Sequence, residues 1–367
     1  MTERTPVQIL YISGFADIAG GGQLSFLLLL KYLDRKIFSP AVLLPARGEM
    51  AERLEEMSVP FITAGYPRLR SLKIWKTVSF VLRLRDIILA RHAAIVHCDT
   101  PDMALMAACA CRLAGAKLVF HARVSDRYRF DRTIAGLADA VICVSAAAAK
   151  RFALSPKSVV VKNGADTRLF SPDDTAEAKK RFGFAADDFV IGYAGQLIKE
   201  KGLDTLARAF ALAGKTVPNL RLIIIGRGEF EPQLRGILKQ NGCMQKTVFT
   251  GFIKNSADAL KAMDALVFPS RADEGLSRVV VESMACAKPA VVSDSGGNAE
   301  TVRDGKDGFV IKHDDPRLYA EKIILLAGDK TLAAELGGNA RQRVLDFFDA
   351  ATTAQNVQNV YAAILRK

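Results

Sequence analysis

Short runs of β-branched and other apolar residues alternate with helix-length segments along the whole chain, and this alternation restricts the fold more than any other feature. The first series is VQILYI (7–12), AVLL (41–44), AIVHC (94–98), KLVFH (117–121), AVICV (140–144) and SVVVK (158–162). A polar break, SPDDTAEAKK (171–180), precedes a second series: FVIGYAG (189–195), RLIIIG (221–226), TVFTGF (247–252), ALVFPS (265–270), PAVVS (289–293) and GFVIK (308–312). Strands separated by helices pair in parallel, with the helices covering the sheet. At 367 residues the chain exceeds what one compact core organises. It therefore reads as α/β, with two doubly wound domains in tandem, 1–172 and 173–349. A helical pattern at Val357, Val360, Tyr361, Ile364 and Leu365 follows.

Composition sets the class. With 50% apolar and 25% charged residues, the disordered and fibrous classes are excluded. Lys and Arg exceed Asp and Glu by 51 to 39, and the excess is uneven: residues 1–172 hold 24 cations and 14 anions, residues 173–367 hold 27 and 25. Segment 66–91 alone has Arg68, Arg70, Lys73, Lys76, Arg83, Arg85 and Arg91 against Asp86. Such a balance suits an anionic partner. Nucleic acid is not expected, because no recognised binding motif is present and basic-aromatic interleaving stops at this one segment.

The longest apolar run, Met103 to Cys111, is nine residues and reads as a buried helix, too short to cross a bilayer. The N-terminus has Glu3 and no apolar core with a cleavage site, so it reads as a first strand, and a cytoplasmic location is expected. Six cysteines (98, 109, 111, 143, 243, 286) in apolar surroundings read as reduced core thiols. The four histidines (92, 97, 121, 313) lack metal-ligand spacing and no DxD follows a strand, so neither a metal nor a cofactor is expected.

In doubly wound domains ligands bind outside the carboxyl ends of strands, so the loops there hold the candidates. After the first strand, Gly20, Gly21 and Gly22 precede an apolar helix. Glycines at a helix start expose amides that suit an oxyanion or phosphate, and a plain flexible turn fits equally well. GYAGQLIKEKG (192–202) carries Gln196, Lys199 and Lys201 to another helix start. A lysine there opposes the helix dipole unless an anion intervenes, which suits Lys201 as a phosphate ligand, and a solvated lysine beside a glycine turn is the more ordinary reading of a single lysine. PSRADEGLSRVVVESMACAKP (269–289) places Glu274 on a loop, Ser277 as a helix cap and Glu282 among apolar residues. Glu282 needs a partner or an exposed position; an internal pair with an arginine is one solution. His121 and His97, at strand ends, are equally eligible for a ligand, and Asn163-Gly164 is most simply a turn.

Together these pieces resemble the retaining, nucleotide-sugar-dependent glycosyltransferases of the GT-B fold, family GT4. Their mark is two glutamates separated by seven residues, here EGLSRVVVE with Glu274 and Glu282. GGGQ, ADAVICVS (138–145), NGADTRLFSP (163–172), GYAG with its KG, IIIGRG (223–228), FTGF (249–252) and GGNAETVRDGKDGFVI (296–311) extend the match over nearly the whole chain.

The resemblance implies two Rossmann-like domains facing an interdomain cleft, with helix 350–367 returning to the first domain. It assigns Glu274 to the transferred sugar, Lys201 to the diphosphate and His121 to the donor sugar. Glu282 would bind the ribose, and the backbone amides from Gly275 through Leu276 and Ser277 to Arg278 would assist the two glutamates. Gly21 and Gly22 would approach the phosphates or acceptor, and Gly226 and Phe252 would border the base and phosphates. Gln196 stands where relatives commonly carry arginine, which removes a charge from the diphosphate site.

The expected reaction is retaining transfer from a UDP-, GDP- or other nucleotide-sugar to a saccharide or lipid-linked acceptor in polysaccharide or lipopolysaccharide biosynthesis. The basic segment 66–91 suits an anionic membrane surface, which would make the protein peripheral on the cytosolic face, and a solvated helix face fits it nearly as well. A sugar-nucleotide epimerase or hydrolase of the same fold stays as the alternative, with a basic nucleic-acid-binding protein as the one from a different class. A dehydrogenase is disfavoured by the lack of GxGxxG.

Overall fold

The computed structural model describes residues 5–18, 20–67, 74–153, 155–173, 175–312 and 314–366. His313, Arg68, Arg70 and Lys73 lie outside them. The chain divides into two compact units, one of Met1–Asn163 with Ala350–Lys367, the other of Gly164–Asp349.

The first unit carries β1 (Val7–Ile12), β2 (Phe38–Leu44), β3 (Phe61–Thr63), β4 (Ile95–Cys98), β5 (Lys117–Ala122), β6 (Ala140–Cys143) and β7 (Ser158–Val160). They form one sheet in the order β3-β2-β1-β4-β5-β6-β7, every pair parallel. The sequence reading omits β3, whose three residues follow Pro60 and are too few to show a period. The order steps outward from β1 to β3 and resumes on the other side at β4. This reversal creates a crevice between the carboxyl ends of β1 and β4.

Helix Gly21–Lys31 buries Phe26, Leu27, Leu29 and Leu30. Helix Ala350–Leu365 buries Val357, Tyr361 and Ile364 into the same cluster, beside Ile9, Tyr11, Phe38 and Ile95. Leu365, part of the expected apolar stripe, is exposed. Helix Pro101–Ala114 buries Met103, Met106 and Cys111 but turns Cys109 outward. Cys109 is thus no core thiol: the all-alanine and cysteine run conceals which face meets the core.

The second unit carries β8 (Phe189–Ala194), β9 (Leu220–Ile225), β10 (Thr247–Gly251), β11 (Ala265–Phe268), β12 (Ala290–Ser293) and β13 (Gly308–Ile311). Its sheet runs β10-β9-β8-β11-β12-β13, also parallel, with the reversal between β8 and β11. The expected boundary at 172 falls earlier in the structure. Ala165 N donates to Phe348 O (2.8 Å), and Arg341 donates to the carbonyls of Thr167 (3.1 Å) and Phe170 (2.7 Å), which ties residues 164–172 to the second unit. Among the described residues, no helix is long and apolar enough to cross a membrane, and no cluster of three metal-ligating side chains occurs.

Candidate active site

The β8/β11 reversal sets two loops side by side. After β8 the chain makes a short 3-10 turn, Lys199–Lys201, ended by Gly202 at φ +66°. A side chain at Gly202 would strike the carbonyl of Pro269, at the end of β11. Glycine lets the loops touch, and Glu200 O then accepts from the amides of Arg271 (2.8 Å) and Ala272 (3.2 Å). That stitching delivers Lys201 to Glu274: Lys201 Nζ donates to Glu274 Oε1, and Ser270 Oγ donates to the same oxygen at 2.8 Å. The sequence assigns Lys201 to a phosphate; in the protein itself its anion is Glu274, with the two side chains 16% and 17% exposed.

Glu274 is held from behind by a third loop. Gly297 N donates to Glu274 O (2.7 Å) and Ser295 Oγ to Ala272 O (2.5 Å). Gly296 at φ +54° has its missing side chain occupied by Glu274 O. Tyr193, fully buried, stacks on Phe268 with centroids 5.7 Å apart and donates to Gln196 O (2.9 Å). Burial, then the nearby Glu274 charge, raises the Tyr193 hydroxyl above its ordinary range, so it stays a donor. Arg271 secures the loop through Asp204 (2.9 Å) and Asp314 (2.5 Å). A cavity of about 300 Å³ opens beside it, lined by Ser270, Asp273, Ser293 and Asp294 among others.

Glu282 lies on helix Arg278–Ala285 and is buried, paired one turn back with Arg278. Of the two solutions open in the sequence, the internal arginine pair is the one found. Arg278 Nη1 is buried without a hydrogen-bond partner among the described residues. Ser277 occupies the N-cap position, yet its hydroxyl does not cap the helix. It donates to Asn298 Oδ1 (2.8 Å), because the buried Asn298 lies within reach and needs a donor. Gly275 and Leu276 are buried in the same turn.

Gly226, at φ +133°, would drive a side chain into Gly195 O, so glycine is required there by the crossing of two strand-end loops. Phe252 is 57% exposed, with the Arg227 guanidinium 5.3 Å from its ring centre, and Gln196 is also exposed.

In the first unit, Gly20 is extended at φ −174° and Gly21 and Gly22 open the helix. A side chain at Gly22 would make only ordinary contact, 3.5 Å from Arg123 Cδ. Among the described residues of the unit, none demands glycine at this position. His121 is 2% exposed, its Nδ1 3.2 Å from His97 Nε2, and its Nε2 is buried without a partner among the described residues. Desolvation, reinforced by Arg123 for both rings and by His97 for His121, pushes His121 well below the usual histidine range and His97 down to about 3. Both are neutral at physiological pH. Arg123 pairs with Asp99, whose carboxyl is raised by burial. Sequence reading missed Ser270, Arg271 and Tyr361 as site supports and left the arginine that pairs with Glu282 unnamed, although Arg278 stands at the four-residue helical spacing that favours an ion pair.

Most of the described part of the basic segment is helix Ile74–Ala90. It turns Phe80, Leu84 and Ile88 inward and exposes Ile74 (74%), Trp75 (85%), Val78 and Leu82 next to Lys76 and Arg83.

Residues 174–343 match the family described as glycosyl transferases group 1, and residues 19–169 match glycosyltransferase family 4. The GDP-mannose-dependent alpha-(1-6)-phosphatidylinositol monomannoside mannosyltransferase of Mycolicibacterium smegmatis is 33% identical over 228 residues, 59% of this chain and 60% of that protein. The lipopolysaccharide core biosynthesis mannosyltransferase LpsB of Rhizobium meliloti is 28% identical over 62% of this chain and 66% of its own length. Among solved structures, Anabaena Alr3699/HepE in complex with UDP-glucose superposes with a TM-score of 0.81 at 25% identity, covering 97% of this chain and 99% of that one. The chain spans about half the length of the first curated relatives it matches, 53% and 54%. With both halves matched in order and both sheets of the doubly wound type, the chain belongs to the GT-B glycosyltransferases of family 4.

Proposed function

We propose that this protein transfers a sugar from a nucleotide-sugar to a saccharide or lipid-linked acceptor in cell-surface polysaccharide or lipopolysaccharide biosynthesis, with retention of anomeric configuration. The observation that carries this reading is the convergence of Lys201, Ser270 and Glu274 at the β8/β11 reversal, beside the buried Arg278–Glu282 pair. In it the diphosphate takes Lys201 from Glu274, and the freed carboxylate receives the hydroxyls of the transferred sugar. Glu282, held rigid by Arg278, accepts the ribose hydroxyls, with the amides of Gly275, Leu276 and Ser277 completing the turn. Gly226 and Phe252 border the nucleotide, and Gln196 keeps a neutral donor by the diphosphate. Gly21, Gly22 and His121 are the first unit's ligand contacts.

The bond from the anomeric carbon to the diphosphate oxygen breaks as Lys201 and the loop amides stabilise the charge on the leaving oxygens. The acceptor oxygen forms its bond on the same sugar face, and its proton passes to the departing diphosphate. No step uses a metal ion. The relatives act with GDP-mannose and bind UDP-glucose, so either nucleotide suits the reading.

Exposed Ile74 and Trp75 beside Lys76 and Arg83 give a face that suits a bilayer surface carrying a lipid-linked acceptor, a peripheral cytoplasmic arrangement. The relative that acts on a phosphatidylinositol mannoside supports a lipid acceptor.

Thermal shift with UDP, GDP and ADP tests the donor site, since a ligand at 100 times its Kd adds about 2.7 kcal/mol. Incubation with the matching sugar nucleotides, with and without acceptor, then separates transfer from the alternatives. Equal hydrolysis under both conditions would favour a hydrolase.

A further inference from the structure

Four buried polar side chains form a line through the first unit: Tyr11 on β1, Tyr361 on the terminal helix, His97 on β4 and His121 on β5. Tyr361 Oη donates to Tyr11 Oη at 3.1 Å. His97 Nδ1 lies 2.5 Å from Tyr361 Oη, and His97 Nε2 lies 3.2 Å from His121 Nδ1. A neutral imidazole has one donor and one acceptor nitrogen, so each link fixes the next. With its one proton directed at Tyr11, Tyr361 accepts from His97, and Nδ1 of His97 therefore carries the hydrogen. His97 Nε2 is then a lone pair and takes the hydrogen on His121 Nδ1. This leaves His121 Nε2 bare.

That nitrogen is also the one with no partner among the described residues, although it is buried. A buried acceptor left unmatched costs free energy that an incoming donor recovers. Arg123 and Asp99, the charged pair at the ends of β5 and β4, hold net neutrality nearby. Protonating His97 would set a hydrogen on its Nε2 against the one on His121 Nδ1.

We propose that Tyr361 and His97 are positioning residues that hold His121 with its hydrogen on Nδ1, so that Nε2 accepts a hydrogen bond from a hydroxyl of the transferred sugar. The ligand half of this statement rests on the transferase reading above; the tautomer half does not.

Nitrogen-15 spectra of the full chain at neutral pH without ligand, assigned with His121→Gln, read the tautomer directly. A bare Nε2 and a protonated Nδ1 are expected on His121; a protonated Nε2 would overturn the proposal. Tyr361→Phe keeps the ring against Phe38 and removes the link. It is expected to mix the His121 tautomers and lower kcat/KM for the sugar nucleotide roughly tenfold, the scale of one hydrogen bond. Wild-type tautomer and kcat/KM in Tyr361→Phe would also overturn it. If that variant does not fold, the wild-type spectrum still decides. Failure of the transferase reading shows separately, as absence of nucleotide binding, and leaves the nitrogen shifts unchanged.

Discussion

Lys201 and Glu274 are 73 residues apart in sequence and share one hydrogen bond at the carboxyl ends of two adjacent parallel strands. Each is the other's counter-ion. The pair keeps a cation and a carboxylate poised at one spot, with Ser270 fixing the carboxylate from the other side.

Glu274→Ala and Lys201→Ala are each expected to lower kcat by about 100-fold, the cost of removing one preorganised electrostatic contact. The double variant should lose much less than the product of the two, because the partners act together. Steady-state kinetics at saturating donor check this; near wild-type turnover in Glu274→Ala would remove the carboxylate from the reaction.

Glu282→Ala leaves the Arg278 guanidinium largely buried without its anion. Breaking such a pair costs about 3 kcal/mol, so a Tm several degrees lower is expected, with weaker UDP or GDP binding by calorimetry. An unchanged Tm would mean that Arg278 finds water on its own.

Two glycines should respond in opposite ways. Gly296→Ala meets the Glu274 carbonyl at a left-handed φ and should destabilise the second unit and abolish activity together. Gly22→Ala has room and sits in a helix, where alanine is favoured by up to about 1 kcal/mol. Its Tm should hold or rise while kcat/KM falls, because only an approaching ligand needs the bare backbone. If Gly22→Ala is fully active, the glycine turn is only a turn.

The buried histidines set an acid limit. His97 is held at about 3 against an ordinary 6.5, so between those values the unfolded chain binds a proton that the folded one refuses. His121 is displaced in the same direction. The stability they contribute is complete above pH 6.5 and is lost as pH falls toward 3, by up to about 1.4 kcal/mol per pH unit for each ring. Melting curves from pH 7.5 to 4.5 should show this slope, and His97→Gln should flatten it. A pH-independent Tm in the parent protein would contradict the burial argument.

Ile74→Ser with Trp75→Ser is expected to reduce co-sedimentation with anionic vesicles without changing Tm, since both side chains are exposed. Reversing Lys76 and Arg83 should weaken it further at low salt than at high salt. Unaltered sedimentation in both variants would rule out this helix as a membrane contact.

Much of the chain was legible before folding. Short apolar runs mark a strand, and among the described residues twelve of the thirteen strands fall on the runs read from sequence, the three-residue β3 being unmarked. The glutamate pair at a spacing of seven, with the glycine and lysine signals around it, carried the family. Local chemistry also marked Glu282 as needing a partner, because a carboxylate in an apolar helix has few solutions.

The tertiary structure alone decided who meets whom. Parallel sheets place strand ends side by side only through crossovers, so Lys201 finds Glu274, and Arg271 finds Asp204 and Asp314, across stretches that no spacing rule connects. Ser277, by pattern a cap, turns to Asn298 because a buried amide offers a better-matched partner than the helix amides. Tyr361 reads in sequence as one more apolar position on a terminal helix. Its hydroxyl acquires a role only when that helix returns to the first sheet and lies 2.5 Å from His97. The pattern of apolar residues specifies that a face is buried, and it is silent on which polar atom of another element waits beneath it.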